Sequence, residues 1–309
     1  MTLEWTMRDA ARVLRRPTAT EDKYSRGVLG VRTGSQRYPG AAVLGVEAAH
    51  RTGVGMVRYL GPERPTALVL ARRPETVTED GRVQAWLIGS GMPAMSAQHG
   101  GVEAADAGVD ADALRAVLGG PVPVVVDAGA IELVVGRHGG APVVVTPHDR
   151  EHARLRAAAG LAPADALVGD EARAAAALET AAALGATVLL KGSRTIVATR
   201  RGQTLVVASP TTWLATAGTG DVLGGILGAL VAAASDPLSG QTGPDAVDAL
   251  GPLAATAALL HGHAAAAASA ARGGGPITAL DVADAVASVV GGLLGLDAPS
   301  GPAGPGAAG

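Results

Sequence analysis

The chain has 309 residues, 48% of them hydrophobic, which is enough to bury the core of one large domain or of two modest ones. Its formal net charge of −3 argues against nucleic acid or an anionic membrane as a partner, because neither would meet a basic surface. The absence of cysteine excludes disulfides, thiolate metal sites and a cysteine nucleophile.

The amino-terminal residues 1–18 mix charges throughout and lack the apolar run and cleavage site of a secretory signal, which predicts a cytoplasmic protein. We expect residues 1–22 to form an extension and residues 23–296 to form a single domain. Residues 297–309 are rich in Pro, Gly and Ala without periodicity, which is typical of a flexible tail.

Short β-branched runs alternate with Ala-rich stretches of helical length, which predicts an α/β fold with a mostly parallel sheet between helices. The predicted strands are Val28–Arg32, Val54–Leu60, Ala67–Leu70, Ala85–Ile88, Val122–Asp127, Val143–Thr146, Thr187–Leu190, Thr195–Ala198 and Leu205–Ala208. The last two are expected to form an antiparallel hairpin. The predicted helices are Gly40–Arg51, Ala111–Leu118, Asp149–Ala158, Asp170–Leu184, Thr219–Ala233, Ala246–Ala270 and Ala279–Leu293.

Polar or glycine residues follow five of the predicted strands, at the end where open parallel sheets bind ligands. The five segments are TGSQRYPGAA (33–42), IGSGM (88–92), VVVDAGA (124–130), VVVTPH (143–148) and LLKGSRT (189–195). Each one alone is more often a simple turn than a site. Their number makes this edge of the sheet the place to expect a ligand.

A glycine-rich turn in TTWLATAGTGDVLGG (211–225) precedes an apolar helix. Gly218 and Gly220 can adopt backbone angles that aim amides at an anion, and the amino terminus of a helix from Thr219 would add its positive dipole end. Asp221 would then accept a proton from a hydroxyl that attacks a phosphoryl group. The plainer interpretation is a helix cap with an acidic residue in the first turn.

Taken together, TGSQRYPGAA, IGSGM, VVDAGA, VVVTPHDREHARL, LLKGSRT and LATAGTGDVLGGI occur in the order seen in the ADP/ATP-dependent NAD(P)H-hydrate dehydratases of the ribokinase-like superfamily, and the chain resembles that family from about Lys23 to Leu293. The resemblance implies a three-layer α/β/α fold with a mostly parallel sheet and an antiparallel hairpin. It also implies a Mg²⁺-dependent lyase that uses ADP or ATP to dehydrate the S form of hydrated NADH or NADPH.

The same resemblance implies the roles of individual residues. Asp221 would be the catalytic base. The hydrated dinucleotide would contact Ala41, Gly91, His148 and Asp221, and the nucleotide would contact Lys191, Gly192, Ser193, Arg194, Thr195, Gly218, Thr219 and Gly220. The ligands of Mg²⁺ are not indicated. The resemblance further implies a homotetramer and a separate epimerase for the hydrate, because about 20 residues before Lys23 cannot hold a fused epimerase domain.

Three features depart from the family pattern: Ala217 stands where a further glycine is expected, Ser90 where proline is common, and EDKYSRG (21–27) lacks a histidine before Lys23. A residue at position 217 that needed a positive φ angle would be strained as alanine, and the anion site would then be distorted. The other two departures lie away from the predicted chemistry.

Three other functions fit parts of the sequence. A hydroxymethylpyrimidine or thiazole kinase of the same superfamily would use the same glycine turn but leave the phosphate on its product. A zinc hydrolase would use His148, Glu151 and His152, an HxxEH motif, although Thr-Pro directly before His148 places that residue at a helix start. A catalytically silent nucleotide-binding protein fits poorly with Asp221. His261 and His263, spaced i and i+2, would not share a helix face.

Overall fold

The computed structural model describes residues 2–95, 108–137, 139–163, 169–234 and 244–296. Its strands are β1 (Thr2–Glu4), β2 (Val28–Arg32), β3 (Met56–Tyr59), β4 (Ala85–Ile88), β5 (Val124–Val126), β6 (Val143–Val145), β7 (Thr187–Leu190), β8 (Arg194–Ala198) and β9 (Thr204–Ala208). Its helices are α1 (Met7–Val13), α2 (Gly40–Thr52), α3 (Glu63–Arg72), α4 (Ala111–Gly119), α5 (Asp149–Ala158), α6 (Asp170–Leu184), α7 (Thr219–Ala233), α8 (Pro244–Asp248), α9 (Leu250–Ala270) and α10 (Ala279–Leu296), with a 3₁₀ helix at Ala128–Val134.

The nine strands form one sheet in the order β1-β9-β8-β7-β6-β5-β4-β2-β3. All neighbours are parallel except β7 with β8 and β8 with β9, which pair antiparallel. Successive residues of a strand face opposite sides of the sheet. Val125 and Val144 accordingly belong to one hydrophobic cluster, and Val124 and Val143 to another. The predicted α/β fold with an antiparallel hairpin is confirmed.

The predicted strand Ala67–Leu70 is wrong, because these residues lie within helix α3. Their apolar run suggested a strand, yet only one of its four residues, Val69, is fully buried. Leu68 is 43% exposed and Leu70 is 37% exposed. Val69 lies four residues after the buried Pro65, which is the spacing of one helix face.

Residues 1–22 supply an edge strand and a helix. Strand β1 pairs parallel with β9, and the indole nitrogen of Trp5 donates to the Thr256 hydroxyl at 3.1 Å. Helix α1 begins at the capping box of Thr6 and Asp9. The division into an extension, a domain and a tail stays a prediction, and residues 297–309 lie outside the described residues.

Among the described residues, helix α10 is the one that is long and apolar enough to cross a membrane by length and composition. Only 28% of its apolar window is buried within the protein. Its buried side is formed by residues such as Val282, Val286 and Leu293, which belong to the core cluster beneath it. A large part of this apolar helix is therefore exposed.

Helices α2 and α7 cross at two glycines. A Cβ atom added at Gly225 of α7 would overlap the carbonyl oxygen of Gly45 in α2, and a Cβ added at Gly45 would lie 3.5 Å from the carbonyl oxygen of Asp221. The two backbones therefore approach without side chains between them. This crossing fixes the first turn of α7, which carries Asp221, against α2.

Replacing Gly225 by Ala is expected to lower the free energy of unfolding by about 3 kcal/mol, because the new methyl group meets backbone that cannot move aside. Urea denaturation of the purified variant measures this loss. Gly291→Ala is the matched control, since nothing lies within 4 Å of a Cβ added there, and alanine in an exposed helix should stabilise by about 0.5–1 kcal/mol. Equal stabilities for the two variants would contradict the interpretation.

Candidate active site

The glycine turn before α7 has the predicted unusual backbone at Gly218, whereas Gly220 has no positive φ angle and lies within the helix. Gly218 caps the helix with φ +88°, in the left-handed region, and a Cβ added there would lie 2.6 Å from Cδ1 of Leu44. The Thr219 hydroxyl donates to the carbonyl oxygens of Leu214 and Thr216, both at 2.9 Å. The turn is thereby fixed, and the first amides of α7 have no acceptor within the helix. These amides and the helix dipole suit a bound phosphate.

Ala217 does not strain this turn. In the part of the chain that the structure describes, Ala128 is the one residue other than glycine with a positive φ angle, at 45°. Ala217 therefore adopts a backbone conformation that alanine tolerates. Its methyl group lies in the wall of the cavity beside the turn.

A buried ion pair joins the carboxyl ends of the central strands. The Lys191 ammonium, after β7, lies 2.9 Å from Oδ1 of Asp127, after β5. Asp127 also accepts from the Thr146 hydroxyl at 2.7 Å and from the Ser90 hydroxyl at 2.9 Å. Ser90, the second departure from the family pattern, thus completes the shell of this carboxylate. Sequence reasoning noted Asp127 only as a strand end and assigned it no role.

Lys191 is surrounded by carboxylates. Besides Asp127 it lies 3.6 Å from Oε2 of Glu151, and a Cβ added at Gly220 would lie 3.7 Å from its nitrogen. Burial lowers the pKa of Lys191, but the charges of Asp127 and Glu151 outweigh burial and hold the pKa above its ordinary value. The ammonium therefore stays charged beside the glycine turn, where it can neutralise phosphate oxygens.

Burial raises the pKa of Asp221 to about 7, the charge of Asp127 acts in the same direction, and Lys191 partly offsets both. Desolvation and the second carboxylate oppose the dipole of the helix amino terminus, which favours the charged form of Asp221. A carboxylate that titrates near neutral pH suits proton transfer better than an ordinary aspartate does.

A cavity of about 780 Å³ opens beside Lys191 and the turn. The predicted site residues in its wall are His148, Lys191, Gly192, Ser193, Thr195, Thr219 and Gly220. The other residues of the wall include the apolar side chains of Val207, Leu214 and Leu223. The cavity has room for a nucleotide, with a charged end at Lys191 and apolar walls beyond it.

Two residues predicted to contact the nucleotide make other contacts. The Arg194 guanidinium lies 2.5 Å from Oδ2 of Asp170, and the Arg194 side chain is not part of the cavity wall. The Thr195 hydroxyl donates to the carbonyl oxygen of Gly192 at 3.2 Å, so it stabilises the turn that it belongs to. Their roles toward a nucleotide stay predictions.

Arg173 of α6 supports the 191–194 turn, and sequence reasoning missed it. Its guanidinium donates to the carbonyl oxygens of Lys191 at 2.9 Å and of Arg194 at 2.8 Å, and pairs with Asp149 at 3.3 Å. A Cβ added at Gly192 would meet this guanidinium at 2.6 Å. No local pattern could have indicated Arg173, because it lies 18 residues before Lys191 on a separate helix.

An Arg173→Ala variant is expected to bind ADP about tenfold more weakly, because the turn that carries Lys191 loses both of these hydrogen bonds. Isothermal titration calorimetry measures the affinity. Arg154→Ala is a suitable control, since Arg154 pairs with Glu132 at the surface and its side chain is 52% exposed. Equal ADP affinities in the two variants would show that Arg173 does not support the site.

The residues predicted to contact the second substrate lie on the α2 side of the turn. Gly91, with φ +67°, and Ala41, in the first turn of α2, approach so closely that a Cβ at position 91 would overlap the Ala41 methyl group. Neither Ala41, Gly91 nor Asp221 lines the 780 Å³ cavity, whereas His148 does. The structure thus places most of the predicted nucleotide residues in one cavity and brings Ala41 and Gly91 together outside it.

The HxxEH motif does not form a zinc site. His148 precedes helix α5 and caps it, with its Nδ1 accepting from the amides of Arg150 at 3.1 Å and Glu151 at 3.3 Å. His152 lies inside, 2.9 Å from the Thr180 hydroxyl, and burial lowers its pKa to about 4. Within residues 2–296, excluding the gaps in the described ranges, no group of three or more His, Cys, Asp or Glu residues could hold a metal ion.

Comparison with known proteins identifies the family of this site. The sequence model of a family described as NAD(P)H-hydrate dehydratase matches residues 29–287. The bifunctional NAD(P)H-hydrate repair enzyme Nnr of Mycobacterium tuberculosis is 42% identical over 228 residues, which are 70% of this chain and 43% of that protein. The chain therefore spans less than half the length of these bifunctional relatives.

Two further proteins match most of their own length. The ADP-dependent (S)-NAD(P)H-hydrate dehydratase of Neisseria meningitidis is 34% identical over 222 residues, 67% of this chain and 69% of that protein. The ADP/ATP-dependent NAD(P)H-hydrate dehydratase of Bacillus subtilis, crystallised with ATP/Mg²⁺, superposes with a TM-score of 0.75 and 26% identity over 94% of this chain and 98% of that one. These matches confirm the resemblance seen in the sequence, and the chain belongs to the NAD(P)H-hydrate dehydratase family.

Proposed function

We propose that the protein dehydrates the S form of hydrated NADH or NADPH and consumes ADP or ATP in doing so. The observation that carries the proposal is the position of Asp221, whose pKa is raised to about 7, at a glycine-capped helix start beside the charged Lys191. Family membership and the names of the relatives support the choice of substrate.

The first step transfers a phosphoryl group to the hydrate. The hydroxyl oxygen of the hydrated ring attacks the terminal phosphorus of the nucleotide, its proton passes to the Asp221 carboxylate, and the shortened nucleotide leaves. The amides of Gly218 and Gly220 and the Lys191 ammonium stabilise the charge on the transferring oxygens, since the Thr219 amide already donates to the carbonyl oxygen of Thr216 at 3.3 Å. Asp221 needs to take the proton only as the bond forms, because the transition state is loose.

The second step eliminates phosphate. The electron pair of the ring nitrogen expels phosphate from the neighbouring carbon, the adjacent ring carbon then loses a proton to the departing phosphate, and the dihydronicotinamide ring is restored. Phosphate leaves far more readily than hydroxide, which explains why a dehydratase consumes a nucleotide. The atoms of the nucleotide end as inorganic phosphate and the shortened nucleotide, so the product carries no phosphate from the donor.

Mg²⁺ fits the carboxylates around Lys191. The described residues offer no complete protein cage, and Mg²⁺ commonly takes one or two carboxylates together with substrate phosphates. The oxygens of Asp127 are occupied by Lys191, Thr146 and Ser90, and Oε2 of Glu151 accepts from the His148 amide at 2.8 Å, so Oε1 of Glu151 is the oxygen that would hold it. When bound, Mg²⁺ neutralises phosphate charge.

The proposal extends to partners and location. An epimerase that converts the R form of the hydrate into the S form would supply the substrate, and the bifunctional names of several relatives support that link. We place the reaction in the cytoplasm, in agreement with the match to a family of NAD(P)H-hydrate dehydratases. A homotetramer is the proposed assembly, for which the exposed apolar part of α10 offers a surface.

The test mixes purified protein with enzymatically prepared NADH hydrate, Mg²⁺ and either ADP or ATP, and follows the near-ultraviolet absorbance of the restored dihydronicotinamide ring. We expect an increase that depends on the nucleotide and is at least about 10²-fold slower in Asp221→Asn. If there is no increase with either nucleotide, the proposal fails. Phosphorylation of a hydroxymethylpyrimidine or a thiazole alcohol would then favour the superfamily kinases.

A further inference from the structure

A second cavity, of about 540 Å³, lies at the carboxyl ends of β2, β3 and β4. Its wall includes Arg32 and Tyr59, the last residues of β2 and β3, and Met92, which follows β4. Apolar side chains add to the wall, among them Leu60, Val109 and Leu114. Open parallel sheets bind ligands at this edge, yet neither the resemblance nor the mechanism assigns the cavity a role.

Arg32 brings an unused pair of donors to this cavity. Its guanidinium lies over the Trp86 ring, 5.7 Å from the ring centre, and its Nη1 donates to the carbonyl oxygen of Leu60 at 3.4 Å. Nε is buried, and within the described part of the chain neither Nε nor Nη2 has a hydrogen-bond partner. These two nitrogens share one edge of the guanidinium, which is the fork that binds a phosphate or carboxylate with two parallel hydrogen bonds. Because an unpaired buried donor costs free energy, the fork indicates an anionic ligand.

The order of the strands places this cavity and the 780 Å³ cavity on opposite sides of the reacting groups. The 780 Å³ cavity contains Lys191, which follows β7, and extends to Val207 of β9. Asp127, which pairs with Lys191 and acts on Asp221, follows β5. From β5 the sheet continues through β4 to β2 and β3, which lie two and three strand spacings of about 4.8 Å away. A ligand that reacts at Asp221 can therefore extend toward Arg32 without entering the 780 Å³ cavity.

The residues predicted to contact the dinucleotide lie on this path. Gly91 directly precedes Met92 of the cavity wall. The amide of Gly34, two residues after Arg32, donates to the carbonyl oxygen of Ser90 at 2.7 Å, and a Cβ added at Gly91 would lie 3.3 Å from the Gly34 Cα. A dinucleotide with its hydrated ring at the reacting groups that passes Gly91 would therefore bring its other end to this cavity.

We propose that the 540 Å³ cavity binds the adenosine end of hydrated NADPH, with Nε and Nη2 of Arg32 donating to its 2′-phosphate. The inference rests on the proposed function, because it requires that the hydrated ring reacts at Asp221. A 2′-phosphate offers two charged oxygens to the fork, whereas NADH has a single hydroxyl oxygen in its place. The adenine ring would lie against the apolar wall. The site should therefore prefer the NADPH form of the substrate to the NADH form.

The experiment measures binding of NADPH and of NADH, the two reaction products, by isothermal titration calorimetry with saturating Mg²⁺–ADP in the 780 Å³ cavity. We expect the unmodified protein to bind NADPH about tenfold more tightly than NADH. Arg32→Gln should bind NADH as before and lose the preference, whereas Arg32→Lys keeps the charge without the fork and should retain part of it. Arg115→Gln on α4 is the matched control, because Arg115 pairs with Asp112 at the surface and is absent from the cavity wall.

Two competition titrations separate the adenosine 2′-phosphate from free phosphate. Adenosine 2′,5′-bisphosphate should displace NADPH, and the same concentration of inorganic phosphate should not. Displacement by inorganic phosphate, equal affinities for NADPH and NADH, or an unchanged preference in Arg32→Gln would each overturn this inference alone. Thermal denaturation checks that the variants are folded, and the comparison of NADPH with NADH in the unmodified protein needs no variant. If neither dinucleotide binds, the inference also fails, and the dehydration assay decides the proposed function separately.

Discussion

Replacing Asp221 by Asn is expected to lower kcat by about 10²–10⁴-fold, the range associated with loss of a positioned acid–base group. ADP binding and the fold should survive. The raised pKa means that the carboxylate is destabilising once it is charged, so the contribution of Asp221 to the free energy of unfolding is greatest below its unfolded pKa near 3.8 and is lost as the pH rises through about 7. The variant should therefore be at least as stable as the unmodified protein at pH 8, which urea denaturation measures.

The pH dependence of turnover gives a second measurement of the same prediction. The base must be deprotonated, so kcat/KM of the unmodified protein, which reports the pKa values of the free enzyme, should rise with pH and level off above about 7. The residual activity of Asp221→Asn should lack this limb. Asp284→Asn, on the exposed part of α10, is the control and should keep both rate and profile. Full activity in Asp221→Asn would exclude the carboxylate as the base.

Removing Asp127 should affect stability and catalysis together. In Asp127→Ala the Lys191 side chain, which is 20% exposed, loses its nearest carboxylate but keeps Glu151 at 3.6 Å, so the free energy of unfolding should fall by about 1–3 kcal/mol. Urea denaturation measures the loss. Ser90→Ala removes one hydrogen bond from the same carboxylate and should cost only about 1 kcal/mol.

The catalytic consequence of Asp127→Ala has a defined sign. The negative charge of Asp127 raises the pKa of Asp221, so its removal lowers that pKa and moves the acidic limb of the kcat/KM profile to lower pH. Weaker ADP binding should accompany the shift, because Lys191 is no longer held in place. A variant with unchanged stability and an unchanged profile would show that the pair is not coupled to the site.

Periodicity was sufficient for the long elements and failed for the short ones. Helices α5, α6 and α7 begin and end at the predicted residues, because their caps are read directly from the sequence. Strand β1 was missed, since three exposed residues carry no alternating pattern and form a strand only by pairing with β9. Four apolar residues of helix α3 were mistaken for a strand, because a short apolar run suggests a buried strand, whereas most of these residues are exposed.

The residues of the candidate site also fall into two groups, those that a local sequence motif indicates and those that only the folded chain brings together. Lys191, Gly218 and Asp221 lie within contiguous motifs, so sequence alone places them at one edge of the sheet. Asp127 and Arg173 support the site through contacts across 64 and 18 residues, respectively, to Lys191, and such contacts exist only once the chain is folded. The raised pKa of Asp221 belongs to this second group, because it depends on burial and on Asp127.

The glycine crossing of α2 and α7 links the lifetime of the site to that of the whole domain. Because the two backbones touch at Gly45 and Gly225, neither helix can open alone without breaking the contact that fixes the other. Fluctuations that expose the amides around Asp221 should therefore require cooperative unfolding of the core rather than local fraying. States in which α7 is unfolded would therefore lack the active site. The rate of amide hydrogen exchange in α7 would measure how long the site persists between such unfolding events.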